Sequence, residues 1–435
     1  MLDPTGVVAA PLQQATTVDA ASHWRLRYWS IFFGQASSLI GSALTQFVLL
    51  WWITDKTGSI SALATAGLVA LLPQALFGPL GGVLADRFSR RFLMIATDAV
   101  SALCMIVLIV LFVADRVELW HIYTMMFIRS AAQAFQSPAA AASTATLVPA
   151  SFLPRAAGLN QTLQGMMTVA AAPLGALAIG VMPVGYALCI DVVTAVLGIV
   201  PLLIFAIPRP VVPERRKAGL WQDLWTDFRE GIRTVWYNPA LRQLYVLLAI
   251  IVMILMPAGT LLPLLVKQHF GGGAQQVALI EGLGGTGMVV GGIIVATISP
   301  KRLLAWILIG FAIMSLALGA VALMPSHMFA TAVFFWIVSS ISFTLGDAPL
   351  MTVVQTTVPH RLQGRALSLL TTMMALAAPI GLALVTPLGE MIGLRWLIVL
   401  LGFFGAVATL MGFLSPSLNG RHYPVGDLDD MRSRT

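Results

Sequence analysis

Five charged side chains, Asp98, Arg129, Asp191, Glu281 and Asp347, fall inside long apolar stretches of the sequence. A charge at the bilayer centre costs roughly 2.5–3.5 kcal/mol on insertion scales, so each needs a partner or a task. A carboxyl withdrawn from water favours its neutral form, and a group that gains and loses a proton there can couple proton movement to other work. Asp347, in Gly346-Asp347-Ala348-Pro349, lies about 18 Å along a helix before Pro359, near the midplane, where it could hold a proton or a cationic amine. Glu281 is followed by Gly282, Gly284, Gly285 and Gly287, which leave room around its carboxyl, and proton or substrate coupling is set against a polar helix contact. Arg129 keeps its own proton at ordinary pH, so it would tune a nearby acid or hold a polar network. Asp98, close after Arg90 and Arg91, is expected to pair with those arginines, and Asp191 is expected to be structural.

Neutral polar groups complete the candidate site. Gln35, Gln46, Gln136, Gln161 and Gln355, with Phe47 and Trp51, form a mixed surface of the kind that lines concave ligand sites. Gln136 in Phe135-Gln136-Ser137-Pro138 matches Asp347 in the second half, and the two are expected to face each other across a cavity. Cys104 and Cys189 sit in apolar runs and the 6 histidines are scattered, which argues against a disulfide framework or a zinc site. With no nucleophile cluster and no nucleotide-binding loop, neither an enzyme nor an ATP-driven pump is expected.

These residues must be carried by membrane helices. Of the 435 residues 58% are apolar and only 10% charged, against roughly 25% charged in a soluble domain. Apolar stretches of spanning length fall near 27–54, 60–85, 91–114, 119–148, 158–181 and 185–207, then 241–266, 273–299, 302–324, 328–357, 364–388 and 393–415. The sequence therefore predicts an all-α membrane protein of twelve transmembrane helices in two six-helix bundles, 27–207 and 241–415. Between them, 208–240 reads as a cytoplasmic linker with an amphipathic surface helix carrying Trp221, Leu224, Trp225 and Phe228. The tails, 1–26 and 416–435, are expected in the cytoplasm. The net charge of +7 is topological, because the cations cluster on alternate connections and only Lys56, Arg116, Lys267 and Arg395 fall on the other side. Nucleic acid is not an expected partner.

The two halves repeat. Ala171-Ala172-Pro173-Leu174-Gly175 recurs as Ala377-Ala378-Pro379-Ile380-Gly381, Val148-Pro149 as Val358-Pro359, and Gly81-Gly82 as Gly291-Gly292, all in the same order. Related bundles meeting in a membrane can rock about a midplane site, which is alternating access. A channel would need a charge ring or a carbonyl filter, and neither is seen.

Between the second and third spans runs Gly82-Val83-Leu84-Ala85-Asp86-Arg87-Phe88-Ser89-Arg90-Arg91. Gly82, Asp86, Arg87, Arg90 and Arg91 make a short acidic-then-basic turn that can engage a neighbouring helix end and latch one conformation. The pattern resembles the signature of the major facilitator superfamily, with Ser89 in place of its second glycine. Gly34-Gln35-Ala36-Ser37-Ser38, Thr54-Asp55-Lys56-Thr57-Gly58-Ser59, Phe127-Ile128-Arg129-Ser130, Ile190-Asp191-Val192 and Gly364-Arg365-Ala366 resemble the macrolide-efflux branch of its drug/proton antiporters, over roughly residues 24–415. The resemblance implies a proton-driven exporter of amphipathic drugs, with Arg129 and Glu281 in proton coupling and helices 1, 4, 7 and 10 lining the cavity; Asp347 departs from the macrolide-exporter pattern, and its place in proton coupling rests on its own position near the midplane. The resemblance also implies a multi-pass protein of a bacterial cytoplasmic membrane, working as a monomer on small molecules with a proton gradient and no cofactor. The helix 5 antiporter motif is partial, because Ala172 stands where glycine usually precedes Pro173. An exporter of lipids or siderophores, a proton-linked nutrient importer and a membrane sensor remain open alternatives.

Overall fold

In lipid every backbone N–H and C=O must be paired within the chain, so each long apolar run can only close on itself as a helix. A computed structural model describes residues 24–207, parts of 229–236, 239–298, 302–358 and 360–414. The first six helices are α1 (Trp24–Thr57), α2 (Ile60–Arg87), α3 (Arg90–Val113), α4 (Leu119–Leu147), α5 (Leu153–Val181) and α6 (Cys189–Ile204), the last preceded by a single turn, Val184–Ala187. The second six are α7 (Pro239–Phe270), α8 (Ala274–Ile298), α9 (Leu303–Leu323), α10 (Phe329–Thr357), α11 (His360–Ile392) and α12 (Leu394–Leu414). The amphipathic helix expected at Trp221 to Phe228 lies outside the described residues, as do 1–23 and 415–435.

Eleven of the described helices are long and apolar enough to cross a membrane. The one that falls short of the apolar threshold is α4. Its 29 residues suffice in length, but Arg129, Gln133, Gln136 and a run of serines and threonines dilute it. The turn from α1 to α2 is a local example of sequence setting an end: Gly58 adopts φ +57°, and Ser59 caps α2 by accepting from the Ala62 amide at 3.3 Å.

The sequence repeat reappears as repeated packing. In the first half α1 lies against α5 and α6, α2 against α4, and α3 against α4 and α6. Six helices later, α7 lies against α11 and α12, α8 against α10, and α9 against α10 and α12. Gly81 brings α2 onto α4 at Ala134 and Pro138, and its counterpart Gly291 brings α8 onto α10 at Ile341 and Thr344. The halves meet along two matching seams, α5 with α8 and α2 with α11. The fold is thus two pseudo-symmetric six-helix bundles.

The seams are uneven along their length. At the end where α1 and α7 finish, Phe47, Ala172, Ala176, Leu262, Val266 and Ile280 form one buried apolar cluster across both halves. Outside it, Lys267 Nζ bonds Asp55 Oδ1 at 2.8 Å and the Asp55 carbonyl at 2.6 Å, and Gln268 Nε2 donates to the Gly58 carbonyl at 2.6 Å. Lys267 Nζ also reaches the Thr54 carbonyl at 3.4 Å, so side chains of the second half bond the end of α1 at several points. Toward the opposite end contact is lost. On one face of α2, Gly67 packs against Thr260 and Leu382, whereas Gly78 and Gly82 have no side-chain or neighbouring-helix atom within 4 Å of the Cβ position. On α5, Val169 and Pro173 press on Gly282 and Gly285, and the buried clusters nearer the start of α1 each stay within one half, Tyr28, Met94 and Leu202 in the first and Tyr245, Phe311 and Leu370 in the second. The bundles close where α1 ends and part where it begins.

Candidate transport site

Among the described residues the polar groups inside the helices sort into two paired sets and two carboxylates without partners. Arg129 of α4 reaches across the first half to Asp191 of α6, Nη2 to Oδ2 at 2.9 Å, with side-chain exposures of 10% and 1%. Ser42 Oγ of α1 donates to Asp191 Oδ1 at 3.0 Å, and Arg129 Nη1 also lies 3.7 Å from the Met105 sulfur of α3. An arginine in an apolar helix is thereby neutralised, and four helices are tied at one point. The acid that Arg129 meets is therefore Asp191.

Asp98, 2% exposed, has no arginine partner among the described residues, which corrects the expectation of a pair with Arg90 or Arg91. Its carboxylate accepts from Gln136 Nε2 at 2.6 Å, Gln35 Nε2 at 2.9 Å and Ser38 Oγ at 3.4 Å. The arginines are engaged elsewhere. Arg90 Nη1 donates to the Ala142 carbonyl at 2.7 Å, and Arg91 donates to the carbonyls of Leu202 and Leu203 in the last turn of α6. Cations favour helix C-termini, where unpaired carbonyls concentrate partial negative charge, and that draws Arg91 to the end of α6 and away from Asp98. Arg91 thus engages a neighbouring helix end as its turn suggested, within the first half. The side chains of Asp86 and Arg87 lie outside the described set.

Gln136 also fails to face Asp347. It is buried inside the first half, donating to Asp98 and, at 3.1 Å, to Gln35 Oε1, because a buried carboxylate is the stronger acceptor. Two of the five candidate glutamines are therefore consumed by one acid. Gln46 is partly buried, and no hydrogen bond reaches it among the described residues. Gln161 and Gln355 are exposed. Phe47 belongs to the apolar plug at the closed end, with Trp51 packed partly buried against it.

Glu281 and Asp347 are partly buried, and no hydrogen bond or ion pair reaches either carboxylate among the described residues. Glu281 lies about 10 Å along α8 from its start at the closed end, between Ile280 in the plug and Gly282 against Pro173 of α5. Asp347 lies about 15 Å from the end of α10, next to Gly346, which packs on Phe311 of α9. Along the α5/α8 seam runs an apolar groove of about 550 Å³ lined by Val169, Pro173, Ala176, Ala278, Leu279 and Gly282. Two features escaped the sequence reading: the Asp98 hub and the Lys267–Asp55 bridge. Their partners come from helices far apart in the chain, and the local sign was an acid within α3 and another near the end of α1.

A family model for the Major Facilitator Superfamily matches residues 31–382. The chain belongs to the major facilitator superfamily. Among curated relatives, the transporter is 30% identical over 401 residues to macrolide efflux protein A of Streptococcus pyogenes, covering 92% of this chain and 97% of that protein. It is 31% identical over 323 residues to the protein of the same name from Enterococcus faecalis, 72% of this chain and 97% of that one. It is 22% identical over 381 residues to the multidrug efflux pump Tap of Mycolicibacterium fortuitum, 84% and 90% of the two chains. Two solved structures bear out the fold. A bacterial homologue of the human lysosomal transporter Spinster, inward-facing and unoccupied, superposes with a TM-score of 0.66 at 18% identity over 89% of this chain and 96% of that one. A POT family transporter reaches 0.70 at 14% identity over 90% and 96%. The protein is a multi-pass membrane transporter of this superfamily.

Proposed function

We propose that this transporter exports amphipathic, macrolide-like drugs from the cytoplasm in exchange for protons. The observation that carries the reading is the likeness to macrolide efflux protein A along nearly the whole of both chains. The two partnerless carboxylates support the proton half of it: in a buried, unpaired position a carboxyl is free to change its protonation state without first breaking an ion pair. The excess of cations on the connections at the open end makes that end cytoplasmic, so both termini face inward and the form described is the one that admits substrate from the cell.

In the proposed cycle a drug enters between the parted ends of the bundles and lies among Gln161, Gln355 and Asp347, which pairs with a cationic amine. The bundles rock, the plug around Phe47 opens, and the drug leaves outward. Glu281, close to that plug, and Asp347 then take protons from outside. Their release into the cytoplasm after the return completes the exchange, while Arg129 and Asp191 hold the first half rigid. The membrane potential supplies about 2.3 kcal/mol per charge per 100 mV, with no cofactor. The transporter acts as a monomer in a bacterial cytoplasmic membrane.

The test is accumulation of radiolabelled erythromycin in cells with and without the protein, before and after a proton uncoupler. Export predicts low accumulation that rises when the gradient collapses. Accumulation that falls on uncoupling would indicate import, and an unchanged level would indicate a protein that moves neither.

A further inference from the structure

The first half holds a second buried acid that the proposed cycle does not use. Asp98 differs from Asp191 in one respect that decides its chemistry: its three donors, Gln35, Gln136 and Ser38, are all neutral. Charged groups on the surrounding helices are committed elsewhere. On α6 Asp191 is held by Arg129 of α4. On α3 itself Arg90 and Arg91 bond the carbonyls of Ala142, Leu202 and Leu203. The part of α1 that meets Asp98 presents Gln35 and Ser38, both uncharged. No fixed cation compensates this carboxylate among the described residues: its three neutral donors favour the charged form, burial opposes it, and no ion pair has to break for a proton to be taken up.

We propose that Asp98 exchanges a proton during the cycle and that its charge state sets the packing of α1 against α4. The inference rests on the proton-coupled reading and adds a positioning residue to it. The step is a transfer from hydronium to Asp98 Oδ2, leaving water and a neutral carboxyl. That oxygen becomes a donor, and the Gln35 amide facing it at 2.9 Å must turn to offer its carbonyl oxygen instead of its NH2. Gln35 Oε1 then no longer accepts from Gln136 Nε2, so the 3.1 Å bond between α1 and α4 is lost. α1 and α4 touch sparsely, each leaning on other helices, which makes this amide pair a principal bridge between them. One proton on α3 thereby removes the direct bond between α1 and α4 and leaves the two joined there only through the Asp98 carboxyl.

The test uses purified full-length protein and protons as the probe. Infrared difference spectra between acid and neutral pH are recorded for the native chain, Asp98→Asn and Gln136→Met. A pH-dependent carboxyl stretch absent from Asp98→Asn supports the proposal, and superimposable native and Asp98→Asn spectra overturn it. If Asp98→Asn does not fold, Gln136→Met decides. Removing one of three donors should move the midpoint of one carboxyl band by about one pH unit, and unmoved bands overturn the proposal. Erythromycin transport in vesicles of the native protein is measured in parallel. Absence of gradient-driven transport there removes the export reading, whereas the spectra still decide whether Asp98 titrates.

Discussion

Asp347 and Glu281 differ from Asp98 and Asp191 in having no hydrogen-bond or ion-pair partner among the described residues, and their substitutions should behave differently from those in the ion pair. Asp347→Asn should slow efflux of cationic amphipaths about tenfold, a loss of ~1.4 kcal/mol, while sparing neutral ones. The comparison of ethidium with an uncharged dye in one vesicle preparation measures this, and equal losses for both would remove the carboxylate from cation binding. Glu281→Gln should flatten the pH dependence of erythromycin efflux with little change in stability, because no bond is broken. Arg129→Met should instead unfold the protein more readily, by about 3–5 kcal/mol, since it strands Asp191 at 1% exposure. Restoring neutrality with Asp191→Asn in the same chain should recover much of that loss, read from denaturation in detergent. The charges themselves were legible in the sequence because they interrupt apolar runs. Their partners were not: Gln136 and Asp98 are 38 positions apart and Arg129 and Asp191 62, and only packing shows which acid each group meets.

Helices were the most legible level. Every apolar run became a helix, with ends within a few residues of expectation for α2, α3, α4, α8, α9, α10 and α12, because a span's length is dictated by bilayer thickness and its ends by polar turns. α5 and α11 began earlier than expected, at Leu153 and His360, and both starts are polar stretches whose hydropathy hides their helicity. The repeated glycines Gly81 and Gly291 mark equivalent crossings inside each half, since close approach needs the smallest residue wherever helices cross. Gly285 is the sharpest case, lying against Thr168 and Val169 of α5 at the junction of the halves. Gly285→Leu should drive α8 off α5 and abolish transport. Gly292→Leu, at a position with one distant neighbour, Thr344 at 3.9 Å, should be tolerated. Equal transport by the two variants would show that the seam is not tightly packed.

At the scale of the molecule, one end is fastened and the other is not. Lys267 and Asp55 are 31% and 55% exposed, and such pairs contribute about 0–1 kcal/mol, so the bridge biases the closure without fixing it. Cysteines introduced as Asp55→Cys and Lys267→Cys, with Cys104 and Cys189 replaced, should cross-link on oxidation and stop transport, and reduction should restore it. Continued transport by the oxidised chain would mean that this end never opens. The polar character of α4 has a consequence for how the protein is made. Synthesis runs from the N-terminus, so Arg129 leaves the ribosome 62 residues ahead of the acid that neutralises it. Until α6 follows, the guanidinium faces lipid or the insertion machinery alone, and a nascent chain cut short before Asp191 should release α4 from the bilayer. Assembly of the first bundle is therefore timed by its sixth helix.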